Sequence, residues 1–235
     1  MTDERTALLA IRRQALSVGI AVAPFGLAFG VACAQAGLGL DEAMGFSVLV
    51  FTGSAQFAAV SVLADGGTAF AAIASALLLS LRSLAYGVVM APALHGPRWW
   101  RALVSQLMID EAMAVGAAQP TRRLQRAGYL WGGCSVFVLW NLSTAIGAAA
   151  VSSAGDLVDT LGIDATIPAA FLALVWPRLA DPVQRAVALA GAVIAVVLVP
   201  IAPAGVPILG ASAAVLVARL VARLVPGRPH AERAG

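Results

Sequence analysis

Eight apolar runs divide the chain, at residues 15–38, 43–64, 68–94, 102–118, 127–151, 165–177, 184–202 and 205–225, with short polar loops between them. At least five are long enough to cross about 30 Å of hydrocarbon as helices. The pattern predicts an all-α fold, a polytopic transmembrane helical bundle of about seven to eight hydrophobic segments. The runs at 102–118 and 165–177 are short, so re-entrant half-helices are an alternative to full crossings there. Residues 1–14 read as a cytoplasmic N-terminal segment, 15–225 as the transmembrane domain and 226–235 as a cytoplasmic tail.

Composition strengthens the membrane reading. The chain is 60% hydrophobic and only 11% charged, with a mean hydropathy of +0.90, where soluble domains carry roughly a quarter charged residues. Its 235 residues leave no room for a separate soluble domain. Arg5, Arg12 and Arg13 before an apolar stretch resemble the start of a signal peptide. The stretch Ala15 to Ala36 is too long for one and further spans follow, so it reads as a first helix that stays.

Charge sets the expected orientation. Every basic residue is Arg, and the net charge of +3 does not suggest nucleic acid as a partner. If all eight runs cross, Arg5, Arg12, Arg13, Arg122, Arg123, Arg126, Arg178, Arg185, Arg219, Arg223, Arg228 and Arg233 share one side. Asp41, Glu42, Asp156, Asp159 and Asp164 then lie in loops on the other. The excess of Arg marks the cytoplasmic side, so both termini are expected in the cytoplasm and the chain in the inner (cytoplasmic) cell membrane. One loop resists. Pro97-Arg98-Trp99-Trp100-Arg101 looks cytoplasmic, yet the count puts it outside. Either the rule fails for one short loop, or two neighbouring runs do not cross fully.

Within this apolar chain a few polar positions stand out. Arg82 sits in the otherwise uncharged run from Thr68 to Leu94, and Asp110 and Glu111 sit in the run from Ala102 to Ala118. An unpaired charge at a bilayer centre costs about 2.5–3.5 kcal/mol on insertion scales. Such residues are kept because they act on a substrate or hold each other. Arg82 and Tyr86 are one turn apart on one face, and Arg offers a planar fork suited to a carboxylate. Asp110 and Glu111 point about 100° apart on a helix, so one of them meets a given partner better than the other. An Arg82–Asp110 or Arg82–Glu111 ion pair that only staples helices is the alternative to substrate or proton handling.

Three further places interrupt or decorate helices. Pro24-Phe25-Gly26-Leu27-Ala28-Phe29-Gly30 combines a proline with a G-x-x-x-G pair, Gly26 and Gly30, that permits close helix approach. Phe25 belongs to the same stretch. Phe51-Thr52-Gly53-Ser54-Ala55-Gln56-Phe57 divides the run 43–64 near its middle. There Gly53 weakens a helix and Thr52 or Ser54 can cap a new one. A half-helix starting here aims free N–H groups at an anionic group, with Gln56 as a polar neighbour; an intact helix is the alternative. Asn141, beside Trp140, either lines the cavity or hydrogen-bonds another helix. Pro168 and Pro177 bracket a short run, and Pro200, Pro203 and Pro207 mark a turn.

Other chemistries find little support. Cys33 and Cys134 lie in apolar runs and imply no disulfide framework. His95 and His230 fall at a loop edge and in the tail, where neither a membrane metal site nor a proton relay needs them. There is no lysine and hence no P-loop. Gly53-Ser54 has no histidine in any apolar run to serve as its base, and H-E-x-x-H is absent. An enzyme is not expected, and neither a metal nor another cofactor is. A secondary transporter is the main reading, with a channel or a structural membrane subunit as the alternative.

Taken together, these stretches resemble the AzlC family of branched-chain amino acid permeases. The residues that carry the resemblance are Pro24-Phe25-Gly26 with Phe29-Gly30, Phe51-Thr52-Gly53-Ser54-Ala55-Gln56-Phe57-Ala58-Ala59, Leu81-Arg82 with Tyr86-Gly87, Asp110-Glu111, Trp140 and Pro168-Ala169-Ala170-Phe171-Leu172. The family commonly reads Asn-Leu-Arg-His where this chain has Ser80-Leu81-Arg82-Ser83, which removes one proton-handling group. The resemblance implies export of branched-chain amino acids by a permease domain that works with a small membrane subunit of the AzlD type. Together with the reading of the polar positions, it directs attention to Phe25, Gly26, Gly30, Gly53, Ser54, Gln56, Arg82, Tyr86, Asp110, Glu111 and Asn141 as residues that bind substrate or couple its movement to an ion.

Overall fold

A computed structural model describes residues 2–154, 172, 175–203 and 206–215. The described residues form helices and turns and no strand, as the apolar runs imply. The chain divides into two compact units, Met1–Phe171 and Leu172–Gly235.

The first unit is built on two long helices, α1 (Thr2–Gln35) and α8 (Arg122–Ala154). They run parallel. Glu4 pairs with Arg123 at 3.0 Å, the Arg12 guanidinium lies 4.6 Å from the Trp131 ring centre, and Ser135 Oγ donates to the Ala15 carbonyl at 2.7 Å. Further along, a Cβ at Gly26 would stand 2.8 Å from the Trp140 carbonyl oxygen, and one at Gly30 would strike that of Thr144. From the other side, a Cβ at Gly147 would strike the Leu27 carbonyl. The G-x-x-x-G face is therefore a packing face, where absent side chains let two backbones touch. Pro24 lies inside α1 without ending it.

Between these helices the chain crosses once more and folds back twice. Helices α2 (Leu40–Leu49) and α3 (Gly53–Ala64) occupy the run 43–64. Along α8, Ser47 lies opposite Thr144 and Phe51 opposite Phe137, so α2 runs antiparallel to α8. After the break at Phe51-Thr52, Gly53 faces Trp140, and Gln56 reaches back to the Phe46 and Ser47 carbonyls at 3.2 Å each. A continued helix would put residues 46 and 56 about 15 Å apart, beyond the reach of a glutamine. So α3 returns toward the end that α2 left. Matching turns close that end. Gly37 and Gly66 adopt φ of 79° and 75°, and each helix before them ends with the amide two residues past its cap bonded five residues back (Leu38 to Cys33, Gly67 to Val62).

Helices α4 (Ala69–Ser80) and α5 (Arg82–Met90) are separated only by Leu81, which keeps right-handed helical angles. Together they form a span of 22 residues. Helices α6 (Arg98–Ser105) and α7 (Asp110–Ala117) then make the second hairpin. Along α6, Trp100 meets Arg126 and Leu107, just past its end, meets Gly133, which is the direction of α8. Along α7, Ala112 meets Gly132 and Val115 meets Gly128, which is the reverse. This fold-back is the alternative to a full crossing at 102–118.

Three helices of the described residues are long and apolar enough to cross a membrane: Glu4–Gln35, Ala69–Met90 and Arg122–Val151. Through residue 154 the eight-crossing count is thus replaced by three spans and two hairpins. Run length alone does not distinguish a segment that crosses from one that returns. The new path settles the anomalous loop: Arg98 and Arg101 join Arg5, Arg12, Arg13, Arg122, Arg123 and Arg126 at one end, and Asp41, Glu42 and Asp65 lie at the other.

In the second unit, a 3-10 turn (Trp176–Ala180) leads into α9 (Pro182–Leu198). The Asp181 carboxylate caps α9 by accepting from the Val183 and Gln184 amides at 2.7 and 3.3 Å, and these bonds lower its pKa from the ordinary carboxylate value. Residues 199–203, with Pro200 and Pro203, turn the chain toward α10 (Val206–Ser212), which includes Pro207. The expectations placed on Asp156, Asp159, Asp164, Pro168 and the stretch 165–171 lie outside the described residues. So do those placed on Arg219, Arg223, Arg228, His230, Arg233 and the tail 226–235.

Candidate functional site

The tips of the two hairpins meet. Gln106, at the end of α6, donates its side-chain amide to the Val48 and Leu49 carbonyls at 2.7 and 3.1 Å. The last carbonyls of a helix have no intrahelical partner, and in hydrocarbon each such group left alone costs several kcal/mol. Gln56 and Gln106 thus satisfy the open end of α2 from two directions. Gln56 is fully buried, and its Oε1 has no hydrogen-bond partner among the described residues.

Arg82, at the first position of α5, spans the same junction. Its Nη1 lies 3.1 Å from Asp110 Oδ2 and its Nη2 donates to Ser54 Oγ at 2.9 Å. Tyr86, one turn on, donates to the other oxygen of Asp110 at 2.5 Å. Ser83 Oγ donates to the Met108 carbonyl at 3.2 Å. The pair is only partly covered, with 35% of the Arg82 side chain and 28% of that of Asp110 exposed, so the centre is reachable rather than sealed.

Both hairpins place a helix N-terminus here. Asp110 opens α7, where its carboxylate complements the positive end of the helix. Gly53 opens α3. Thr52 precedes it with extended angles but spends its hydroxyl on the Phe51 carbonyl at 2.9 Å, so its side chain does not cap the first amides of α3. A Cβ at Gly53 would lie 3.1 Å from Trp140 Cη2, which leaves the turn tight against that ring. The arrangement offers a guanidinium fork, uncapped amides and a carboxylate within one small region. Those groups can hold the carboxylate and the ammonium of a zwitterion.

The structure therefore gathers Ser54, Arg82, Tyr86 and Asp110, with Gly53 at the edge and Gln56 behind. Glu111 follows Asp110 in the first turn of α7, half-buried, with a different heading. Gly26 and Gly30 lie in the α1–α8 seam, and Phe25 packs at the margin of the apolar core. Asn141 donates to the Phe137 carbonyl of its own helix at 2.8 Å, while its Oδ1 is buried without a partner among the described residues. Sequence reasoning missed Gln106 and Ser83. The signal for Gln106 was the same as for Gln56, an amide side chain inside an apolar run.

The family model described as AzlC protein matches residues 17–153. The chain belongs to the AzlC family. That family is a transporter family associated with branched-chain amino acid transport, and with the three apolar spans it makes this chain a membrane transport protein. The match takes in both hairpins and every residue of the polar centre and lies within the first compact unit. No curated protein and no solved structure matches the chain.

Proposed function

We propose that this AzlC chain is a secondary transporter that exports branched-chain and other small apolar amino acids across the cytoplasmic membrane. One observation carries the reading: Arg82 holds Ser54 at the start of α3 and Asp110 at the start of α7 in a single fork. A charge so costly in hydrocarbon is placed where two half-helices end, which is where transporters bind substrate. Arg82 and the amides of α3 receive the substrate carboxylate. Asp110, with Glu111 in a lesser role, receives the ammonium or carries the coupling proton. The apolar residues around the centre accommodate an aliphatic side chain.

The permease domain spans residues 15–225, with cytoplasmic segments at 1–14 and 226–235 and both termini in the cytoplasm. A small membrane subunit of the AzlD type completes the exporter and contacts apolar and small-residue helix faces. Gly26, Gly30 and Phe25 support the site by fixing α1 against α8. No cofactor takes part, and the chain is not an enzyme.

The test is counterflow of radiolabelled leucine in liposomes, with and without the small subunit. Leucine-specific, saturable exchange supports the reading. Flux that does not saturate marks a channel, and no flux under either condition rejects leucine transport.

A further inference from the structure

Beside the polar centre, α5, the loop after it and α6 enclose a cleft of about 120 Å³. Leu94 and Val104 form its walls, with Gly87 and Met108 among the lining residues. Gly87 follows Tyr86 directly, and the Met108 carbonyl receives the Ser83 hydroxyl two residues before Asp110. One end of the cleft therefore adjoins the Arg82–Asp110 pair. Arg101 and Ser105 also line it. Arg101 is exposed, stands next to Trp100 at the Arg-rich end, and its guanidinium has no ion pair or hydrogen bond among the described residues.

We propose that this cleft is a second binding site, an antechamber where a small aliphatic amino acid waits before it reaches the polar centre. The proposal rests on the transport reading and extends it to a place of its own. Its chemistry is that of the ligand in miniature. A free guanidinium pairs with a carboxylate, and a charge-assisted bond of this kind is about twice as strong as a neutral one. Leu94, Val104 and Met108 offer an apolar surface for a branched side chain. The volume is below the roughly 300–1,000 Å³ of sites for drug-sized molecules, so the cleft itself takes a small branched side chain, with the carboxylate held by the exposed Arg101. An acidic amino acid would bring a second carboxylate against apolar walls at the cost of desolvation.

Protection of a cysteine in the cleft tests the site. Cys33 is buried and Cys134 exposed, so the background is the full chain with Cys134→Ala. Ala91 is exposed and lines the cleft, and Ala91→Cys provides the target for a membrane-impermeant thiol reagent. Leucine at several times its Kd is expected to slow labelling about fivefold by mass action, and glutamate is not. Adding Arg101→Gln abolishes the protection. Adding Arg82→Ala instead leaves it in place, which separates this site from the polar centre. Ser105→Cys serves as the target if the Ala91 variant does not fold.

Labelling unaffected by leucine overturns the proposal. So does protection that survives Arg101→Gln, and so does a target blocked equally with and without leucine, the result expected of a lipid chain in the cleft. Leucine counterflow by the unmodified chain is measured in parallel. Flux without protection removes the antechamber alone, whereas absence of flux both with and without the small subunit removes the transport reading itself.

Discussion

Gln106 donates to the Val48 carbonyl at 2.7 Å and so ties the tip of one hairpin to the tip of the other. This bond and its companion to Leu49 bridge about sixty residues of sequence. Replacing Gln106 with Leu removes the donor and keeps the bulk. Thermal unfolding in detergent is expected to show a loss of about 1–3 kcal/mol, the cost of acceptors left unsatisfied. Unchanged stability would mean that water serves these carbonyls equally well.

Arg82 uses two nitrogens on two partners, Ser54 and Asp110. Lysine keeps the charge but cannot present a fork. Leucine counterflow is expected to fall about 100-fold or more in Arg82→Ala and about tenfold in Arg82→Lys, since each charge-assisted bond carries roughly 1.5–3 kcal/mol. Normal flux in both variants, with normal folding, would refute the central site.

Asp110 and Glu111 are predicted to play unequal parts. Asp110 receives both Arg82 and Tyr86. Asp110→Asn is expected to abolish pH-driven flux and to leave exchange of labelled for unlabelled leucine largely intact. Glu111→Gln should be milder, and Tyr86→Phe should fall between them. The measurement is pH-jump flux and counterflow on the same vesicles. A pH response that persists in both amide variants removes proton coupling from this pair.

The fold-back of α2–α3 has a direct topological signature. Single cysteines at Asp41 and Asp65, both exposed, should react with an impermeant reagent from the same side of the membrane. A cysteine at Arg98 should react from the opposite side, together with one at Arg5, and that shared side is expected to be cytoplasmic. Eight full crossings would instead separate 41 from 65.

Gly30 has no room for a side chain, because a Cβ there would strike the Thr144 carbonyl. Gly30→Ala is expected to destabilise the protein by about 1–3 kcal/mol through overpacking, with Gly30→Val worse. A neighbouring exposed position, Leu27→Ala, serves as the control. Equal melting temperatures for Gly30→Ala and the control would show that the seam opens without cost.

Much of this was legible in the residues. Charge inside apolar runs pointed to Arg82 and Asp110, and the polar break at Thr52-Gly53-Ser54 pointed to a new helix start, where α3 begins. The Arg-rich loop at 97–101 conflicted with eight crossings and left two readings open, a failure of the rule at one short loop or two neighbouring runs that do not cross fully. What remained hidden was direction. A run of twenty apolar residues burdens the bilayer equally whether it passes through or turns back, and only contacts such as Gln56 to Phe46 reveal the turn. The choice of Asp110 over Glu111 as the partner of Arg82 likewise depends on helix phase. Adjacent carboxylates share every sequence signal and differ only by about 100° of rotation.

The glycine contacts along α1 and α8 also bear on how the machine moves. Carbonyl oxygens lodge where Cβ atoms are missing, so a screw motion of one residue, about 1.5 Å along the axis with about 100° of rotation, would drive Phe25 or Leu27, Phe29 or Val31, into backbone. The two long helices are packed without slack, so they are expected to move as one body. On the transport reading, alternation between faces of the membrane is then expected of the hairpins and of α4–α5.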